Sequence, residues 1–158
     1  MSTNEDKKIV AQRKHNLEQK LGKIHLKAGW TAVPNVLLQR QCALGLDSRD
    51  INIIMVLFTY WWKPDEKPYP SKQAIAKSIG CDPSTVRKRI QKLEQAKFIK
   101  RIPRKLSGGG NSSNAYDLRP LLQASEKFSQ EEIERRNERH NENIGKLERK
   151  KERLKLVA

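Results

Sequence analysis

The chain has 158 residues, a formal charge of +15, a pI near 10.0, and 32% charged against 6% aromatic residues. That length holds one domain with extensions rather than two full domains, and the charge points to a polyanionic partner without bearing on fold. Cys42 and Cys81 stand far apart with no partner at ligand spacing, which argues against a C-x-x-C metal site or a disulfide framework and leaves two free thiols as the expectation.

The opening "MSTNEDKKIV" lacks the apolar core of a signal peptide. The longest apolar run, "INIIMVLFTYWW", is interrupted by Asn52 and Thr59 and is too short to span a bilayer. The expectation is a cytoplasmic, nucleoid-associated protein with no membrane partner. Composition divides the chain into residues 1–28, a basic helical extension with Ile9, Val10, Leu17, Leu21 and Ile24 loosely at helical spacing; residues 29–124, with all three Trp and all seven Pro; and residues 125–158, a charged helix former.

In chain order, Pro34 suits the first turn of a helix and Gly45 its end. Asp47 is a candidate N-cap with Asp50 three positions on, and "LDSRDINIIMVLFTYWW" reads as a buried helix ending near Trp62, with "YWW" in the core. "KPDEKPYP" is a turn-rich link with room for one extended stretch at Lys67 to Tyr69. Ser71 caps "KQAIAKSIG", where Ile75 and Ile79 are spaced i,i+4 and Ala74 and Ala76 are small enough for a close helix crossing. Gly80 tolerates a sharp turn, Asp82 caps the next helix, and Pro83 takes its first position. That helix is expected over 83–97, with Val86, Ile90 and Leu93 on one apolar stripe. Two extended segments, "FIKRIPR" and "NAYDL", flank the glycine-rich "KLSGGGNSSN" as a hairpin. From Ser84 to Lys105 there are nine Lys/Arg against one acid, Glu94, a net of +8, whereas Ser129 to Ala158 carry nine bases against seven acids, only +2. Just over half of the excess charge is thus local, which favours a binding surface over a generally basic protein.

The stretch "YPSKQAIAKSIGCDPSTVRKRIQKLEQAKFIKRIPR…NAYDL" resembles a bacterial winged helix-turn-helix domain, and the likeness extends over residues 29–122. It implies a mainly α (α+β) fold: a winged helix-turn-helix domain between N- and C-terminal helical extensions. With Val86, Ile90 and Leu93 inward, a 100° projection places Ser84, Lys88, Gln91 and Gln95 opposite the core, Arg87 to one side, and Thr85 and Lys92 to the other. In this motif the start of the second helix meets base edges. Ser84, Thr85, Arg87, Lys88 and Gln91 are therefore the base-contact candidates, Arg87 for guanine and Gln91 for adenine. Ser71, Lys72, Gln73, Arg89 and Lys92 are assigned to the DNA backbone; Lys88 and Lys92 suit either base or phosphate, and Arg89 also suits intramolecular packing. The wing contributes Lys100, Arg101, Arg104 and Lys105 with Asn111 and Ser112 at its tip, for backbone or minor groove. The alternative is a loop flanked by solubilising charge. Tyr116 is read as packing.

In the last segment Ser129 and Glu132 read as a capping box. A heptad frame places Ile133, His140, Leu147 and Leu154 at one seam position, and Gln130, Asn137, Ile144 and Lys151 at the other, half of them polar. Ile133, Asn137, His140, Ile144, Leu147 and Leu154 are the candidate homodimer contacts; an exposed single helix is the alternative. No catalytic motif, metal-ligand spacing or cofactor signature is found: "SGGGN" lacks the Lys-Ser/Thr ending of a phosphate loop. The reading is a non-enzymatic, sequence-specific double-stranded DNA-binding transcription regulator. The alternatives are a plasmid or phage replication or maintenance initiator, or an architectural protein on repeated sites, and then a protein-interaction module. Any small-molecule effector is unknown.

Overall fold

Asp47 begins the central helix by a reciprocal cap. Its carboxylate accepts the Arg49 and Asp50 N–H groups, each at 3.0 Å, while Asp50 Oδ2 accepts the Asp47 N–H at 3.2 Å. Three backbone donors are thereby satisfied at once, as the sequence expectation held. The computed structural model describes residues 12, 15–105 and 112–157, with side chains described as far as Arg149. Asn111 and most of the wing tip lie outside the described residues, as do Ile9 and Val10.

The chain divides into two compact units, Met1–Ala32 and Val33–Ala158. In the first, residues 15–21 form helix α1 and Lys23–Ala28 form α2, with Gly22 at φ 79° between them. A positive φ is a conformation glycine adopts without steric cost, so the helix breaks there. No residue of α2 is buried.

The second unit carries α3 (Asn35–Gln39), α4 (Ser48–Thr59), α5 (Lys72–Ile79), α6 (Pro83–Gln95), β1 (Lys100–Ile102), β2 (Ala115–Asp117) and α7 (Arg119–Val157). Its core is one cluster. Ile53, Ile54 and Leu57 of α4 meet Ile75 and Ala76 of α5, Val86, Ile90 and Leu93 of α6, and Tyr116, Leu118 and Leu121, all nearly without exposed surface. Fully burying each aliphatic side chain contributes about 1.5–3 kcal/mol, which drives these elements together. β1 and β2 run antiparallel, pairing Lys100 with Asp117, Arg101 with Tyr116, and Ile102 with Ala115. The expected stretch at Lys67 to Tyr69 runs beside β2: Tyr116 donates its N–H to the Pro68 carbonyl at 2.8 Å.

Three expectations change. α4 ends at Thr59 rather than near Trp62, because Tyr60 and Trp61 donate to Leu57 and Phe58 in tightened three-residue turns ahead of Pro64. "YWW" is consequently not core as a unit: Trp61 packs at 5.8 Å from Phe58, while Tyr60 is 44% and Trp62 75% exposed. The last helix starts ten residues before Ser129, at Arg119, whose N–H is accepted by Asp117 Oδ1 at 3.1 Å. Ser129 therefore lies within a helix and donates its hydroxyl to the Ser125 carbonyl at 3.3 Å, and Glu132 pairs with Arg135 and Arg136 instead of closing a capping box. Buried Leu121 and Ser125 tie the first turns of α7 to the core. The boundary drawn at 124/125 falls inside α7.

Candidate nucleic-acid interface

The orientation of α6 decides which of its polar residues are available. Asp82 Oδ1 accepts the Ser84 N–H at 2.7 Å and Pro83 opens the first turn, so the helix starts where the sequence places it. Gly80, at φ 66°, closes α5 in the left-handed conformation, and the Cys81 N–H returns to the Ala76 carbonyl at 3.0 Å. This short reversal, with small Ala76 buried at the crossing, seats α6 against α5. Val86, Ile90 and Leu93 are fully inward. Ser84, Arg87, Lys88 and Gln91 are left exposed together, with Thr85 half-buried beside them.

The basic residues of this region do not form one uniform field. Lys92 Nζ lies 2.8 Å from Asp50 Oδ2, and the Arg89 guanidinium bonds Asp47 and stands 3.5 Å from Asp50 Oδ1. Arg101 pairs with Glu94 at 3.1 Å. Of the nine bases from Arg87 to Lys105, these three are answered by carboxylates; among the described residues the other six have none. Arg89 thus takes the intramolecular option left open for it, and Lys92 and Arg101, assigned to DNA backbone and wing, spend their charge within the fold. The acids that hold Arg89 and Lys92, Asp47 and Asp50, were visible as a cap, but their second role required knowing that α4 packs beside α6.

The two helix starts of the motif also differ electrically. The Ser84 hydroxyl and N–H hold the Asp82 carboxyl below its ordinary range, so α6 begins with a firmly ionised group. α5 begins with neutral Ser71, whose hydroxyl accepts the Ala74 N–H at 3.0 Å, and has no acid in its first turn. Positive partial charge at a helix start favours anions, and here only the start of α5 is free of a competing carboxylate.

Ser71, Lys72 and Gln73 line an open concavity of about 340 Å³ together with Ser112, Ser113, Asn114 and Tyr116. Sequence reasoning reached Ser71, Lys72, Gln73 and Ser112 separately; the fold brings them to one cleft and adds Ser113 and Asn114. Their sole sequence signal was position, between the glycine run and the second strand. The wing base is closed by the Ser112 N–H donating to the Arg104 carbonyl at 3.1 Å. Arg104 lies over the Tyr69 ring, its Cζ 4.0 Å from the centroid. Lys100 and Lys105 are exposed.

On α7, Ile133, Ile144 and Leu147 are 51%, 41% and 59% exposed, and Asn137 and His140 are exposed with them. The Leu154 side chain lies outside those described. Among the described residues no group of three or more His, Cys, Asp or Glu gathers to hold a metal, and no helix is long and apolar enough to cross a membrane.

Residues 44–99 match a family model described as a helix-turn-helix domain. No curated protein matches the chain. Among solved structures it is similar to a possible transcriptional regulator from Methanosarcina mazei Go1, at 25% identity and a TM-score of 0.43, covering 68% of this chain and 85% of that one. It is also similar to the crystal structure of a transcriptional regulator at 15% identity and a TM-score of 0.39, covering 76% of this chain and 72% of that one. Residues 44–99 are thus similar to a helix-turn-helix domain, and the β1–β2 hairpin follows them within a mostly helical chain.

Proposed function

We propose that this protein is a sequence-specific double-stranded DNA-binding transcription regulator, with α6 in the major groove and the wing on the adjacent backbone. One observation carries the reading. The exposed face of α6 holds Arg87, Lys88 and Gln91 with no carboxylate partner among the described residues, and Ser84 beside them, while the neighbouring Arg89 and Lys92 are paired with Asp47 and Asp50. Side chains that donate to guanine and pair with adenine stand at the position where this motif meets base edges. The cleft of Ser71, Lys72, Gln73 and Ser112 supplies neutral and basic donors for the flanking phosphates.

The protein acts as a homodimer through the exposed seam of α7, Ile133, Asn137, His140, Ile144 and Leu147, so that two α6 helices reach half-sites about 34 Å apart. Its output is occupancy of an operator. Selection of bound duplexes from a random pool tests the whole reading. An enriched two-fold-symmetric site supports it, an array of direct repeats favours a replication or maintenance role, and no enrichment at moderate salt overturns it.

A further inference from the structure

The wing is anchored to the link between α4 and α5 at three points. The Pro68 carbonyl accepts the Tyr116 N–H at 2.8 Å, the Tyr69 carbonyl accepts the Ser113 hydroxyl at 2.8 Å, and the Tyr69 ring carries the Arg104 guanidinium. Tyr69 itself is 54% exposed, so neither its ring nor its hydroxyl is required to fill the core. Arg104 has no carboxylate partner among the described residues, and its carbonyl holds Ser112, a wall of the cleft. Arg101, three residues earlier, is paired with Glu94 instead. An unpaired arginine on a hairpin ordinarily samples many rotamers, and ordering it on binding costs free energy. A ring face beneath the guanidinium restricts that sampling beforehand while leaving the charge and the N–H edge available.

Resting on the DNA-binding reading above, we propose that Tyr69 is a positioning residue for the wing. It holds Arg104 in place for a backbone phosphate next to the cleft of Ser71, Lys72 and Ser112, so the wing meets DNA already ordered. Tyr69 acts through Arg104, and the aromatic face is the part that matters. Lying outside both the recognition helix and the hairpin, it extends the interface to the α4–α5 link.

The test is a double-mutant cycle on a mixed-sequence duplex, with affinity measured across a salt series. Arg104→Ala weakens binding to all sequences and lowers the salt slope by about one phosphate contact. Tyr69→Ala weakens binding about two- to fivefold, the range of an exposed cation–π contact, and adds nothing in the Arg104→Ala background. Tyr69→Phe retains wild-type affinity. Without DNA, the ring-current shift of the Arg104 side-chain NMR signals persists in Tyr69→Phe and is lost in Tyr69→Ala, with unchanged melting temperature. Additive losses, or Tyr69→Phe behaving like Tyr69→Ala, overturn the assignment of Tyr69 while leaving the DNA-binding reading intact. A wild type that binds no duplex overturns that reading and the purpose given to Tyr69 with it.

Discussion

Lys92 Nζ sits 2.8 Å from Oδ2 of Asp50, a carboxylate with no exposed surface that also closes the cap of α4. One acid therefore joins the start of α4 to the last turn of α6. A buried carboxylate is stable only while its partners remain, so this contact fixes how α6 is rotated against α4. Lys92→Ala is expected to cost about 1 kcal/mol, because Lys92 is half exposed and Arg89 remains. Asp50→Ala is expected to cost about 2–3 kcal/mol, since it removes half of the capping box and the partner of Lys92, leaving Arg89 with Asp47 alone. Urea unfolding measures both; a Lys92→Ala variant as stable as wild type would remove the structural role.

Arg87 and Arg104 separate direct readout from general attraction. On the selected site, Arg87→Ala is expected to cost about 1–3 kcal/mol and to relax preference at one base position. Arg104→Ala weakens cognate and random duplexes alike and makes binding less salt-dependent. Equal loss from Arg87→Ala on both duplexes contradicts its place at a base edge.

Acid sensitivity is expected from Asp47 and Asp117, two of the carboxyls held below their ordinary range. The Asp50 N–H, ahead of the neighbouring Arg89, lowers Asp47; the Arg119 side chain, with Nε 2.9 Å from Oδ1, lowers Asp117. A folded value below the unfolded one means stability is fully present above the unfolded value, about 3.9, and is lost as pH falls through the folded value. Thermal melts between neutral pH and about pH 2.5 should fall most steeply at the acid end. Asp117→Asn should flatten that descent; an unchanged slope would assign it to other groups.

α6 ends with Lys97 in the left-handed conformation at φ 59°, the Phe98 N–H reaching the Leu93 carbonyl at 2.9 Å and the Lys97 N–H the Glu94 carbonyl at 3.0 Å. This two-bond ending favours glycine at the Lys97 position. Lys97→Gly relieves an unfavourable backbone angle and is expected to raise stability by about 0.5–1 kcal/mol after glycine's own entropic cost. Calorimetry checks the sign.

The α7 seam predicts a concentration-dependent dimer. Sedimentation at micromolar protein should show a species of twice the 18.3 kDa chain. Ile144→Glu with Leu147→Glu should return it to monomer without lowering the melting temperature, since both side chains are exposed. A wild type that stays monomeric with and without DNA ends the dimer proposal.

What neighbouring residues control was legible beforehand. The stripe of Val86, Ile90 and Leu93, the caps at Asp47, Ser71 and Asp82, and the reversal at Gly80 each depend on spacings of a few residues. Helical periodicity and cap chemistry operate over that distance, so the order of elements and the outward set on α6 could be read from the chain. Where each cation spends its charge could not. Lys92 and Asp50 are 42 residues apart, and only the packing of α4 on α6 brings them together. The same holds for Arg104 on Tyr69 and for the cleft where Ser71 meets Ser112. The early start of α7 is a tertiary result too, because buried Leu121 and Ser125 carry the helix back to Arg119 while Ser129 offered an equally good local cap. Local rules placed the basic residues on the helix and hairpin; long-range packing selected which of them stay unpaired for a polyanion.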